Sequence, residues 1–399
     1  MKIAFSKDIS RKIIWFGLLV AVFLMPLSQI LSSRLLISLV LGSMVTSFNR
    51  NLSNKVFLGS WDIAIYFLVL IFGLLSLNDI TVGLNKLETN LCLLAFPIIL
   101  NRVGPFSESK AHKLLLIFSS GLLVACLVYL GLGIKDSIQH NTWSSNTFFN
   151  ELSFFDFDPT YIAYYLVIGI THQLYILYYH KTSLHIVIHI TMIIVFFVVL
   201  IVCDTSAASV GLLLVFSFFI LKFILEKSER SKWITFVLVV TLIVTLFAAK
   251  EIRGPRSDEF VNDTWERFSL WKATWEAVPN YWIGVGTGGE REVLNNYFIR
   301  HGLEKFAIKE YNAHNQFIMM VMTNGFIGLA ALLLLFLHPL FMAVKSNSML
   351  TILLFFPMIV FATTEVILGR YQGVVIFGFI HQLTICMMME NTQTEASIR

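Results

Sequence analysis

Charge is what this sequence has least of. Only 14% of its 399 residues are Asp, Glu, Lys or Arg, where soluble domains run nearer about a quarter. With 57% hydrophobic residues and a mean hydropathy of +0.76, a soluble globular chain is excluded. Cysteine is scarce too. Cys92, Cys126, Cys203 and Cys386 all fall in or at the ends of apolar stretches, with no Cys-x-x-Cys pair. That excludes a disulfide frame or a zinc site and reads as small buried hydrophobes. There is no basic run and the net charge is +4, so a nucleic-acid partner is excluded. Short alternating segments of the β-barrel kind are missing as well. The N-terminus has a basic start and an apolar run but no small-residue cleavage site, so it is expected to be an uncleaved first span.

Long hydrophobic runs are what the chain does have. A span needs roughly 20 mostly apolar residues, and such stretches fall at 13–31, 35–48, 60–77, 86–101, 113–134, 159–179, 182–202, 205–225, 232–249, 316–341, 349–367 and 371–389. The expectation is an all-α polytopic membrane protein of about twelve spans, a single membrane domain over 1–399, with the second and fourth spans short. Basic residues set the orientation. With the N-terminus inside, 16 face the cytoplasm and 4 fall in the short external segments, setting aside the long loop. Both termini are then cytoplasmic, and one large loop, 250–315 between spans nine and ten, is external. A smaller external segment, 135–158, is acidic and aromatic. No internal repeat or inverted halves of the transporter kind are visible.

The large loop concentrates the polar chemistry. Residues 250–314 hold nine basic and ten acidic side chains, 19 of the 54 charges, and four of the eight Trp. Asp258 to Val278 is amphipathic, with Phe260, Trp265, Phe268, Trp271 and Trp275 among Arg267 and Lys272. This predicts an interfacial helix with aromatic anchors. Aromatic faces can also stack on sugars, and arginines such as Arg256, Arg267, Arg291 and Arg300 can grip phosphate. Gly284-Val-Gly-Thr-Gly-Gly289 lacks a preceding strand and a following Lys-Ser/Thr, so it predicts a tight turn after Pro279 and not a nucleotide loop.

His314-Asn315 ends the loop at the mouth of an apolar helix. Gly325 and Gly328 fall near the same face of that helix and predict a close helix–helix seam. An imidazole at the membrane surface suits proton abstraction from a hydroxyl; a helix-cap or snorkelling role is the alternative. Glu365 and Arg370 sit at the outer ends of the last two spans, as functional groups or simply as a pair. His185 and His189 are one turn apart, but with no third ligand they favour packing or hydrogen bonding over metal. His338-Pro339 predicts a helix end.

His314-Asn315, nine residues, then Gly325-x-x-Gly328 resembles the His-[Asn/Ser/Gln]-x9-Gly-x-x-[Gly/Thr/Tyr] signature of bacterial O-antigen ligases; related patterns occur in protein O-oligosaccharyltransferases and O-antigen polymerases. The resemblance extends to Glu266-Arg267-Phe-Ser-Leu-Trp271-Lys, the Pro279…Gly284-Val-Gly-Thr-Gly turn, Asp158-Pro-Thr-Tyr161 and the Glu365…Arg370 pair. It covers roughly 156–375; the first spans match only in hydropathy. One departure stands out: Ala207 occupies the place of an arginine these families usually carry in a Ser/Thr-Arg-Ala/Gly motif, so either Arg253 or Arg256 supplies that charge or the donor is held differently.

The resemblance implies transfer of a glycan from undecaprenyl-pyrophosphate to an acceptor hydroxyl at the periplasmic face of the inner membrane. His314 would be the catalytic base and Arg267 would hold the leaving pyrophosphate. Arg370 would line the same cavity, with Glu365, Arg256, Arg291, Arg300, Asn315 and Trp271 as further substrate-binding candidates. The expected reaction is inverting and needs no cofactor or metal, since arginines can neutralise the developing charge. The expected partners are the lipid-linked glycan, membrane lipid and an acceptor, either lipid A-core or, in a polymerase, a growing glycan. A protein acceptor is a third possibility. A secondary transporter is the rival from another class, and it would show buried charges near the midplane and discontinuous helices.

Overall fold

The computed structural model describes residues 7–45, 59–77, 79–103, 106–141, 157–179, 186–203, 205–226 and 257–398. Within them every regular element is helical. In chain order these are α1 (Lys7–Leu24), α2 (Gln29–Val45), α3 (Trp61–Leu74), α4 (Ile80–Val103), α5 (Glu108–His140), α6 (Pro159–Tyr179), α7 (Ile186–Cys203), α8 (Ser206–Glu226), α9 (Ser257–Glu276), α10 (Glu290–Arg300), α11 (Glu304–Ile308), α12 (Gln316–Lys345), α13 (Met349–Thr364) and α14 (Tyr371–Ile398), with a 3-10 turn at Ile367–Gly369 before the last. Eleven of the twelve expected spans coincide with helices; the ninth, 232–249, lies outside the described residues. Among the described residues six helices are long and apolar enough to cross a membrane, and four more apolar helices are shorter. The first span starts earlier than expected and stops at Leu24, because Pro26 follows and cannot continue the ladder.

Two compact units make up the chain. The first draws on 1–39, 106–255 and 349–360. Its centre is α6, 94% buried along its apolar window, packed against α5, α7 and α8. Gly121 lets α5 press on α1, where an added Cβ would lie 2.0 Å from the Phe23 carbonyl oxygen. His189 Nδ1 and Gln173 Oε1 are 2.6 Å apart within this unit, which is the hydrogen-bonding role expected of it; His185 lies outside the described residues.

The second unit draws on 40–105, 256–348 and 361–399. Here α14 is the central helix, again 94% buried along its apolar window, with α4 and α12 beside it and α3 against α12. α12 does not end at His338-Pro339. It runs to Lys345 through Pro339, since a proline in an apolar surround removes one ladder bond that neighbouring groups can replace.

Nor is α12 one smooth helix. Gly325 (φ 63°, ψ −161°) breaks it, and the glycine-rich segment enters the break. In an unbroken helix the amides of Phe326 and Ile327 would bond the carbonyls of Met322 and Thr323. Instead Val285 N donates to Met322 O (2.9 Å) and Gly286 N to Thr323 O (2.7 Å), while Phe326 N donates to Tyr281 O (2.7 Å) and Ile327 N to Trp282 O (3.4 Å). Four loop bonds thus replace two helical ones. A Cβ on Gly325 would lie 2.2 Å from Trp282 C, and one on Gly284 2.5 Å from Thr323 C. The expected tight turn after Pro279 is present, but Gly325 makes a seam with the loop, where the sequence predicted a seam between helices.

Candidate active site

Residues 257–315 fold as α9, α10 and α11 around an apolar cluster that includes Leu270, Ala273, Leu294, Phe298, Phe306 and Met322. A helix is present where one was expected over Asp258–Val278: α9, Ser257–Glu276. It buries Leu270 and Ala273 and exposes Trp265, Phe268 and Trp275.

The segment leading out of this layer holds His314 in the left-handed region (φ 41°), a conformation few non-glycine residues adopt. Local bonds support it. His314 N donates to Asn312 Oδ1 (2.8 Å), and the Tyr311 ring stands edge-on to the imidazole at 5.7 Å. The helix cap is Asn315, not His314. Asn315 Oδ1 accepts from Phe317 N and Ile318 N, and its Nδ2 donates to Thr363 O (3.0 Å). Both ends of the Asn315 amide are therefore engaged in positioning the start of α12 against the end of α13.

His314 is left free of capping duty and turns toward α13's end. Its Nδ1 lies 3.0 Å from Glu365 Oε2, with the imidazole 29% exposed. Glu365 Oε1 accepts from Val366 N (3.0 Å). Burial opposes ionisation of this carboxyl, but the hydrogen bond and charge of His314, the Val366 amide and the Arg267 charge outweigh it and hold the group below its ordinary value. Arg267, from α9, donates Nη1–H to Thr364 O (2.6 Å). His314, Glu365 and Arg267 thus converge from three elements. Glu365 pairs with His314, where the sequence suggested Arg370. With Nδ1–H donated to Glu365, the other ring nitrogen, Nε2, carries the lone pair.

The remaining expected residues divide. Arg370 is exposed, five residues past Glu365 at the end of the 3-10 turn. Trp271 lies one turn beyond Arg267 on α9, its ring edge-on to Phe268 at 5.3 Å. Arg291 forms an exposed ion pair with Glu310 that raises its pKa and lowers that of Glu310, so it is engaged on the surface. Arg300 is exposed in the last turn of α10. Arg253 and Arg256 lie outside the described residues, and Ala207 is buried in the first turn of α8. Among the described residues no group of three His, Cys, Asp or Glu side chains has a metal-holding arrangement.

Sequence reading missed a buried cluster in the same unit. Asp62 Oδ2 lies 2.7 Å from His381 Nε2 and 3.1 Å from His338 Nδ1, tying α3, α12 and α14 together. An aspartate inside an apolar run was the available signal.

Fold and site together define a multi-pass helical membrane protein with a histidine–carboxylate pair and an arginine at the end of a broken helix. Residues 190–333 match the family model described as O-antigen ligase. The match supports membership of the O-antigen ligase superfamily and an O-antigen ligase or polymerase type of function. The matched interval includes Arg267, the glycine segment, His314 and Gly325; Glu365 and Arg370 lie beyond it. No curated protein matches the chain.

Proposed function

We propose that the protein transfers a glycan from undecaprenyl-pyrophosphate to an acceptor hydroxyl, with lipid A-core as acceptor, at the periplasmic face of the inner membrane. The observation that carries this reading is the His314–Glu365 contact of 3.0 Å with Arg267 bound one residue away at Thr364. His314 Nε2 takes the proton of the acceptor hydroxyl. Its oxygen attacks the anomeric carbon, the bond from that carbon to the pyrophosphate oxygen breaks, and the leaving pyrophosphate keeps the electron pair. Attack opposite the leaving group inverts the anomeric centre. Glu365 holds the imidazole tautomer and stabilises the imidazolium that forms, as the carboxylate of a triad does. Arg267, with Arg370 nearby in sequence to Glu365, supplies positive charge for the departing pyrophosphate.

The discontinuity at Gly325 and the buried Asp62 cluster are features a transporter would also have. The carbonyls and amides freed at the break, however, are bonded to the glycine segment, so they are not available to a transported ion or substrate. His314→Ala and Arg267→Ala, expressed at normal levels, should each reduce glycan attachment by about a hundred-fold or more. The measurement is a gel shift of lipid A-core on incubation with lipid-linked glycan. Unchanged attachment in either variant overturns the reading. Single repeat units on core in a deletion strain, in place of bare core, identify the polymerase version.

A further inference from the structure

A small, solvent-open pocket lies within the second unit. Gln316, two residues after His314, and Val366, next to Glu365, both line it, together with Lys86, Asn90 and Glu290. Asn90 is only 4% exposed. Its Nδ2 donates to the carbonyls of Lys86 (2.9 Å) and Leu368 (3.3 Å), and two carbonyl partners fix which way the amide points. Its Oδ1 is left buried with no donor among the described residues, a state that costs free energy unless an incoming group supplies a hydrogen. Nearby, Lys86 Nζ pairs with Glu290 Oε1 at 3.1 Å, while Glu290 Oε2 accepts from Gly288 N (3.0 Å).

These groups select a ligand class. A phosphate needs surplus positive charge and donors, whereas here Lys86 is neutralised by Glu290 and the group left without a partner, Asn90 Oδ1, is an acceptor. Adjacent hydroxyls, each both donor and acceptor, satisfy an amide oxygen, an ammonium and a carboxylate together. Met319 and Met320 provide an apolar wall suited to the C–H face of a ring. We propose that this pocket is a subsite for a neutral, hydroxyl-bearing sugar residue next to the bond being made. The proposal rests on the glycan-transfer reading and adds to it the residues that hold the sugar. The sugar comes either from the donor glycan or from the acceptor.

Saturation-transfer NMR on the purified full chain tests this with two probes, the O-polysaccharide and the core oligosaccharide released by mild acid from the host's own lipopolysaccharide. One of them should bind the wild type, and which one does so names the source. Asn90→Leu and Lys86→Met should weaken that binding about ten-fold. Absence of binding by either probe, or wild-type affinity in both variants, overturns the proposal. Should Asn90→Leu fail to give a monodisperse protein, Lys86→Met carries the test, because its side chain is 38% exposed. Glycan transfer by the same preparations reports separately on the function. Binding without His314-dependent transfer removes the transferase and leaves the subsite, whereas transfer without binding does the reverse.

Discussion

At the scale of the residue, the chemistry turns on how one carboxylate is held. Glu365 pairs with His314 and sits near the Arg267 charge, and its pKa is depressed below the ordinary glutamate value. A group whose pKa is depressed in the folded state contributes stability above its unfolded pKa and loses it as pH falls through the folded one. Glu365→Gln should therefore lower the melting temperature by a constant amount at neutral pH, and that difference should begin to shrink as pH falls below the ordinary glutamate value of about 4 and go on shrinking through the depressed folded one. Melting scans in detergent across pH 3–8 measure it; a difference that persists undiminished at the acid end would mean the carboxylate charge contributes nothing. As a positioning residue, Glu365 should act on kcat. The variant should turn over about ten-fold or more slowly, with KM for the lipid-linked donor unchanged. His314 was legible in the sequence, because an imidazole at a span mouth is conspicuous. Its partner was not, since 51 residues separate the two and nothing local marks which carboxylate a histidine will meet. The capping role of Asn315 was hidden for a related reason: a cap shows itself only once the next turn of backbone is seen.

At the scale of the element, the broken helix and the segment that fills it form one structure. Gly284, Gly286 and Gly325 all have positive φ, so a side chain there meets conformational strain as well as backbone atoms. Gly325→Ala and Gly284→Ala should each cost about 2 kcal/mol or more and cut the yield of folded protein. Gly131→Ala, in α5 with nothing within 4 Å of the added Cβ, should be neutral or slightly stabilising. Melting temperature and monodisperse yield compare the three, and equal tolerance would show that the interlock is dispensable. The helix positions were largely legible, because apolar runs of this length specify helices whatever surrounds them. The break was not. A glycine on a helical stripe also fits close packing between helices, and only the loop bonds to Tyr281, Trp282, Met322 and Thr323 decide between the two. The same limit explains His338-Pro339, where proline suggested an end and contacts with Asp62 and Trp61 accompany a helix that continues.

At the scale of the whole molecule, the proposal depends on which face of the membrane the site occupies. The distribution of basic residues predicts that 250–315 is outside, and the aromatic groups agree with a site at an interface. Trp265, Phe268, Trp275 and Trp282 stay exposed, Trp282 to 70%, which is costly in water and favourable at headgroup depth. Undecaprenyl-pyrophosphate would present its leaving group at that depth, with no nucleotide needed on that side. α12 supplies a direct test. Its 30 residues rise roughly 45 Å, enough to cross about 30 Å of hydrocarbon even with a kink at Gly325. Residues flanking it must then lie on opposite faces. Ile308, 81% exposed before the helix, and Lys345 at its far end provide the two positions. The native cysteines interfere little, since Cys126, Cys203 and Cys386 are buried and Cys92 can be replaced by alanine. In intact spheroplasts a membrane-impermeant maleimide should label Ile308→Cys at once and Lys345→Cys only after permeabilisation. The reverse order would put His314 on the cytoplasmic side, where a transfer to lipid A-core at the outer face could not occur, and would remove the proposed function whatever the geometry of the histidine and its carboxylate.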